Sequence, residues 1–102
     1  MRLIARPRLR QHATIHPLAK ASLERWRRIA EAADWKTPED VRKSWRAVDF
    51  VRVKSGRTVA AFNVAGNHFR LIAAVHYDRR KAFILGFYPH HESSKDDWKE
   101  HL

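Results

Sequence analysis

The chain has 102 residues, 21 Lys and Arg against 11 Asp and Glu, a formal net charge of +10, no cysteine, and 44% hydrophobic against 31% charged residues. That is length and apolar content for one domain, residues 1–102, not two, and it excludes disulfides, cysteine-based zinc sites and an intrinsically disordered chain. So large a positive excess on so small a body favours polyanion partners, nucleic acid first and an acidic protein second.

No apolar run approaches the ~20 residues needed to span a bilayer. The opening Met1-Arg2-Leu3-Ile4-Ala5-Arg6-Pro7 lacks the apolar stretch of a signal peptide, so a cytoplasmic location and no membrane partner are expected.

Arg2 to Ala5 reads as a short first strand. Pro7 fits a helix start, and Arg8 to His16 is expected to form a short basic helix that Pro17 interrupts. Leu18, Ala21, Leu23, Trp26, Ile29, Ala30 and Ala33 then recur at steps of three and four, the period of an amphipathic helix, with Lys20, Arg25, Arg27 and Arg28 on the opposite side. Thr37-Pro38-Glu39-Asp40 is a helix start: Thr37 can cap, Pro38 fits the first helical position, and the acids meet the positive end of the dipole. That helix is expected from Pro38 to Trp45.

From Val48 the period changes to two. Strands are predicted at Asp49 to Lys54, Thr58 to Val64, His68 to Tyr77 and Lys81 to Tyr88, with connections short enough for hairpins. The tail from Ser94 to His101 could add a helical turn or two. Strand, helices, then consecutive strands define an α+β domain with the helices on one face of an antiparallel sheet and the other face left for solvent or a ligand.

The segment His68 to Tyr77 carries the most chemical information. Alternation sets Phe69, Leu71, Ala73 and Val75 toward the helices, and His68, Arg70 and His76 on the other face. Arginine presents a planar fork suited to phosphate, and histidine exchanges protons near neutral pH. Two readings stay open for this strand: a phosphate-handling site, or an Arg70 paired with an acid beside ordinary exposed histidines. Gly66 is expected to take a positive φ, and Asn67 is either a turn residue or a substrate contact.

Arg79, Arg80 and Lys81 form a basic hairpin tip, which with Arg2, Arg6, Arg8 and Arg10 could make a phosphate-binding margin. Tyr77 and Tyr88, at strand ends, are candidate stacking platforms for bases, whereas Trp26, Trp35 and Trp45 read as core. Adjacent His90, His91 and Glu92 do not have the spacing of a metal site, and either loop exposure or acid–base work is open to them. Nucleotide-binding loops, serine-hydrolase elbows and paired-carboxylate signatures are missing, so the ingredients favour a chemistry with no metal and no cofactor.

Asn63-Val64-Ala65-Gly66-Asn67-His68-Phe69-Arg70-Leu71 resembles the N-x-x-G-N-x-x-R-L signature of the HigB family of toxins. Ala33-Asp34-Trp35-Lys36-Thr37-Pro38 is similar to that family's A-x-W-x-x-P stretch, and His90-His91-Glu92-Ser93-Ser94-Lys95 to its H-x-E-x-x-K segment. The resemblance runs over nearly the whole chain in the same order.

The resemblance implies a RelE-like fold and a type II toxin: an endoribonuclease, or mRNA interferase, that cuts messenger RNA on the ribosome, in the decoding A site. It also implies a HigA-type helix-turn-helix antitoxin, through which alone operator DNA would be reached. By motif position Arg70 would stabilise the phosphate, His90 would move a proton, Lys95 would add positive charge and Asn67 would touch the RNA. His68 joins them only by its face. Tyr77, Arg79, Arg80, His76 and Tyr88 complete the expected RNA contacts. Ser93 stands where many relatives carry Tyr, a departure in the region that moves protons. The alternatives are a same-fold toxin that blocks a protein target such as DNA gyrase, as ParE-type relatives do, and a non-catalytic RNA-binding module.

Overall fold

A computed structural model describes residues 1–4, 19–66 and 68–89. The expected helix at Arg8 to His16 and the tail from Ser94 to His101 lie outside the described residues. Helix α1, Lys20–Ala32, presents Leu23, Trp26 and Ala30 to the core at the spacing its sequence predicts. Its outer side is basic, but Arg27 is held by Glu24 at 2.9 Å and Glu31 at 3.0 Å, one turn away on either side. The last turn of α1 carries no basic side chain, and the Met1 amino group meets its last carbonyls instead, donating to Ala30 at 3.0 Å and Glu31 at 3.3 Å.

Helix α2, Pro38–Ser44, starts as its sequence predicts. Thr37 Oγ1 accepts from the Asp40 amide at 3.3 Å, Pro38 occupies the first turn, Glu39 and Asp40 lie at the positive end, and Arg42 and Lys43 lie at the other. A hydrogen bond from the Lys36 amide, at 3.0 Å, holds the Asp40 carboxyl below the usual aspartate range.

Strands β1 (Arg2–Ile4), β2 (Val48–Arg52), β3 (Thr58–Val64), β4 (Phe69–His76) and β5 (Lys81–Pro89) form one sheet in the order β1-β5-β4-β3-β2. The last four are the antiparallel meander that the short connections predict. The first departs from the expected antiparallel sheet: β1 lies parallel to β5, Leu3 opposite Ala82. The helices and three strands between the two supply the long crossover a parallel pair requires. An irregularity at Ile72/Ala73 sets Ile72 against Gly86 and Ala73 against Ile84, so Leu85 is the extra residue of a bulge.

The helix side of the sheet is filled by rings. Trp26 meets Phe62 edge-on at 5.1 Å and Trp35 lies nearly parallel to Phe62 at 6.0 Å, all three 2% exposed or less. The opposite side is not the open face that alternation suggested. Val53, Val59, Ala61, Ile72 and Ala74 form a second buried cluster there, with Val51, Phe83, Leu85 and Tyr88 packed against it. Ala61 and Ile72, at its centre, have no exposed surface.

Candidate functional site

Arg70 lies on that second side of the sheet, on β4, between Asn63 of β3 and Tyr88 of β5 in the ladder. Its Nη2 donates to Asp49 Oδ2 at 2.8 Å, across β3. The arginine side chain is 13% exposed and the aspartate 61%, so the pair stands at a boundary, with the acid on the water side. Among the described residues, Arg70 Nε is buried and has no hydrogen-bond partner, and Asn63 Oδ1, on the same rung, is buried and unpartnered too. A buried donor and a buried acceptor left open side by side are uncommon, and each costs about 1–3 kcal/mol unless something meets it.

Sequence reasoning left two readings of Arg70 open, and the structure contains the ion pair of one of them. It missed Asp49 as the partner. The usable signal was that Asp49 is the only acid between Asp40 and Asp78.

Tyr88 is the ring beside Arg70. It lies across Gly86, where an added Cβ would come within 2.6–2.8 Å of the ring and its hydroxyl. At the same end of β4 the 65–68 turn carries two positive φ angles, Ala65 at 54° and Gly66 at 63°, and His68 closes it by donating its amide to Ala65 O at 3.2 Å. Gly66 thus has the backbone expected of it, and Ala65 adopts the same region at some steric cost. His68 is exposed and belongs to the turn, not to the alternation of β4. Strand β5 ends at Pro89, opposite Phe69. Asn67, His90 and Lys95 lie outside the described residues.

The other expected contacts are elsewhere. His76 shares Arg70's face, but six residues along a strand is about 20 Å. There its ring packs edge-on against Phe83 at 4.9 Å. Tyr77 lies on the other side of the sheet. It packs against the helix-side core and lines an apolar hollow of about 370 Å³ with Pro38, Arg42, Phe50 and Val75. Burial pushes its phenol above the ordinary tyrosine range. Tyr77 and Tyr88 therefore pack on opposite faces of the sheet. Arg79 and Arg80 are exposed at this far end, where Arg80 meets Asp34 at 3.3 Å and its carbonyl accepts the Arg2 amide at 2.8 Å. The site thus divides into one end with Arg70, Tyr88 and the His68 turn, and another with His76, Tyr77, Arg79 and Arg80.

A second concavity of about 450 Å³ flanks the first end, between α1, the loop after α2 and the 65–68 turn. Trp45, expected in the core, is half-buried at its wall, donating Nε1 to Asn63 O at 2.9 Å. Among the described residues no helix is long and apolar enough to cross a membrane, and no group of three or more His, Asp or Glu is placed to hold a metal ion.

Among the described residues, two helices on a five-strand, mostly antiparallel sheet, in a chain of +10 charge, define a small basic α+β domain of the RelE-like kind. The HigB toxin family, described as the RelE-like toxic component of a toxin-antitoxin system, matches over residues 19–96, and the chain belongs to that family. No curated protein matches the chain. Membership implies an antitoxin as partner.

Proposed function

We propose that the chain is a metal-independent endoribonuclease, an mRNA interferase that cuts messenger RNA in the decoding A site of the ribosome and so arrests translation and growth. The observation that carries this reading is Arg70: among the described residues, a guanidinium with one buried N–H unpartnered and another held by a largely exposed carboxylate. A phosphate can displace Asp49 and meet both donors, because guanidinium forks match phosphate oxygens in pairs.

In this reading the ribose 2′-oxygen attacks the adjacent phosphorus while a base removes its proton. The bond from phosphorus to the 5′-oxygen breaks, and an acid returns a proton to that oxygen, leaving a cyclic phosphate and a free 5′-hydroxyl. Arg70 stabilises the charge that develops on the phosphoryl oxygens. His90 moves the proton, Lys95 adds charge, and His68, on the turn beside Arg70, is the second candidate for proton transfer. Asn67 and Tyr88 contact the RNA at this end, Tyr88 through its ring. A HigA-type helix-turn-helix antitoxin restrains the toxin, and operator DNA is reached through it.

Induced expression with mapping of new RNA 5′ ends tests this. Wild type is expected to produce fragments and growth arrest, both suppressed by the antitoxin. Arg70→Ala and His90→Ala are each expected to lose both while keeping the circular dichroism of the folded chain. Arrest that survives both substitutions without RNA fragments would mean a blocked protein target, such as DNA gyrase, and salt-dependent RNA binding without arrest would mean a non-catalytic module.

A further inference from the structure

Among the described residues, ion pairs engage Arg27 with Glu24 and Glu31, Arg42 with Glu39, Arg70 with Asp49 and Arg80 with Asp34. Of the cations with no carboxylate partner among those residues, three converge. Arg25 of α1, Lys43 of α2 and Arg46 of the following loop all line the 450 Å³ hollow, together with Trp45, Asn63 and Gly66, and no acid among the described residues lines it. The three come from separate elements, so no single helix face accounts for their meeting. All three are exposed.

The hollow is held in shape. The Arg25 guanidinium lies 5.3 Å over the Trp45 ring, an attraction that orients the cation and leaves its charge whole. Trp45 is pinned to Asn63 O, and Asn63 is the ladder neighbour of Arg70. The end of β3 therefore has a cationic hollow on one side and Arg70 on the other, and the 65–68 turn runs between them.

We propose that this hollow binds a backbone phosphate of single-stranded RNA, away from the bond held at Arg70. The inference rests on the ribonuclease reading and adds a second anchor to it. The hollow's volume suits a nucleotide-sized group. Its lining favours phosphate over a protein partner: converging cations position a polyanion, whereas protein partners anchor through buried aromatic or aliphatic side chains. The apolar hollow at Phe50 and Tyr77, at the far end of the sheet, has that second character.

The test is the binding of a single-stranded 2′-O-methyl oligonucleotide, which cannot be cut, to the full chain over a range of salt. The variant Arg25→Gln/Lys43→Gln/Arg46→Gln is expected to bind about tenfold or more weakly at low salt. Its slope of log affinity against log salt should fall by about 0.7 for each phosphate contact removed. The control Arg28→Gln/Arg52→Gln/Arg57→Gln removes the same charge from exposed positions outside the hollow and should keep most of the affinity and slope. Equal losses in the two variants would reduce the hollow to general charge and overturn the proposal. So would unchanged RNA binding with a weakened antitoxin complex, which would give the hollow to the protein partner. Binding is measured apart from cutting, so failure of the ribonuclease reading would show separately, as ordinary RNA left intact by wild type.

Discussion

The two faces of the sheet are both apolar at their centres, but they are built from different side chains. On the helix side, Trp26, Trp35 and Phe62 fill the space with large, mutually packed rings. On the other side the centre holds Val53, Val59, Ala61, Ile72 and Ala74, with the polar groups Asp49, Asn63 and Arg70 beside it. Ala61 stands between Asp49 and Ile72 in the ladder, on the strand that Arg70 must cross to reach Asp49. Neighbouring strands are about 4.8 Å apart, so the arginine spans nearly its full length. A long side chain at position 61 would stand in its way. One face gains stability from bulk, and the other keeps its centre low so that a cation can lie across it.

Substitutions can break this contrast. The largest effect is expected from Trp26→Ala, which opens a ring-sized void and should cost about 3–5 kcal/mol in urea unfolding. Ala61→Leu overpacks the level face and should cost about 1–3 kcal/mol. It should also separate Arg70 from Asp49, visible as a change in the guanidinium resonances of Arg70 by nuclear magnetic resonance. If Ala61→Leu left those resonances in place, the reach across β3 would be the wrong account of the small residue.

Asp49→Asn weakens the partner of a largely buried arginine. Stability should fall by about 1–3 kcal/mol, while affinity for RNA at low salt rises. A fall in RNA affinity would mean that Asp49 orients Arg70 and does not compete with phosphate.

The smallest effect belongs to the helix side. The raised Tyr77 phenol should ionise later than a free tyrosine in an alkaline absorbance titration, and Tyr77→Phe should remove that late component. Because the folded value lies above the unfolded one, the protonated form favours folding. That contribution is present below about pH 10 and is lost as pH rises through the folded value.

Much of the fold was legible because it depends on local rules. The alternation Phe69, Leu71, Ala73, Val75 was correctly turned toward the helices, and Thr37-Pro38 marked a helix start whose cap is present. The parallel β1–β5 pair was not legible, since it joins residues about eighty apart and no local pattern encodes strand direction at that separation. The second core was not legible for a related reason. On β4 alone, Ile72 and Ala74 lie between Arg70 and His76, and only the neighbouring strands make them the middle of a core.

The candidate site was legible in Arg70, whose motif and face both singled it out. It was not legible in its grouping: alternation reports which face a residue takes but not how far along the strand it lies, so His76 seemed nearer to Arg70 than it is. Arg25, Lys43 and Arg46 escaped notice because their meeting depends on how α1 and the loop after α2 are placed over the end of β3.

Gly86 is the parking bay of the Tyr88 ring. Even a single methyl there would contest the space the ring occupies, and an aromatic side chain yields more readily than a strand. Enlarging position 86 would therefore evict the tyrosine and leave the backbone in place, altering the neighbourhood of Arg70 without touching it. A glycine in mid-strand, usually judged by what it does to the chain's freedom, here decides where a ring rests.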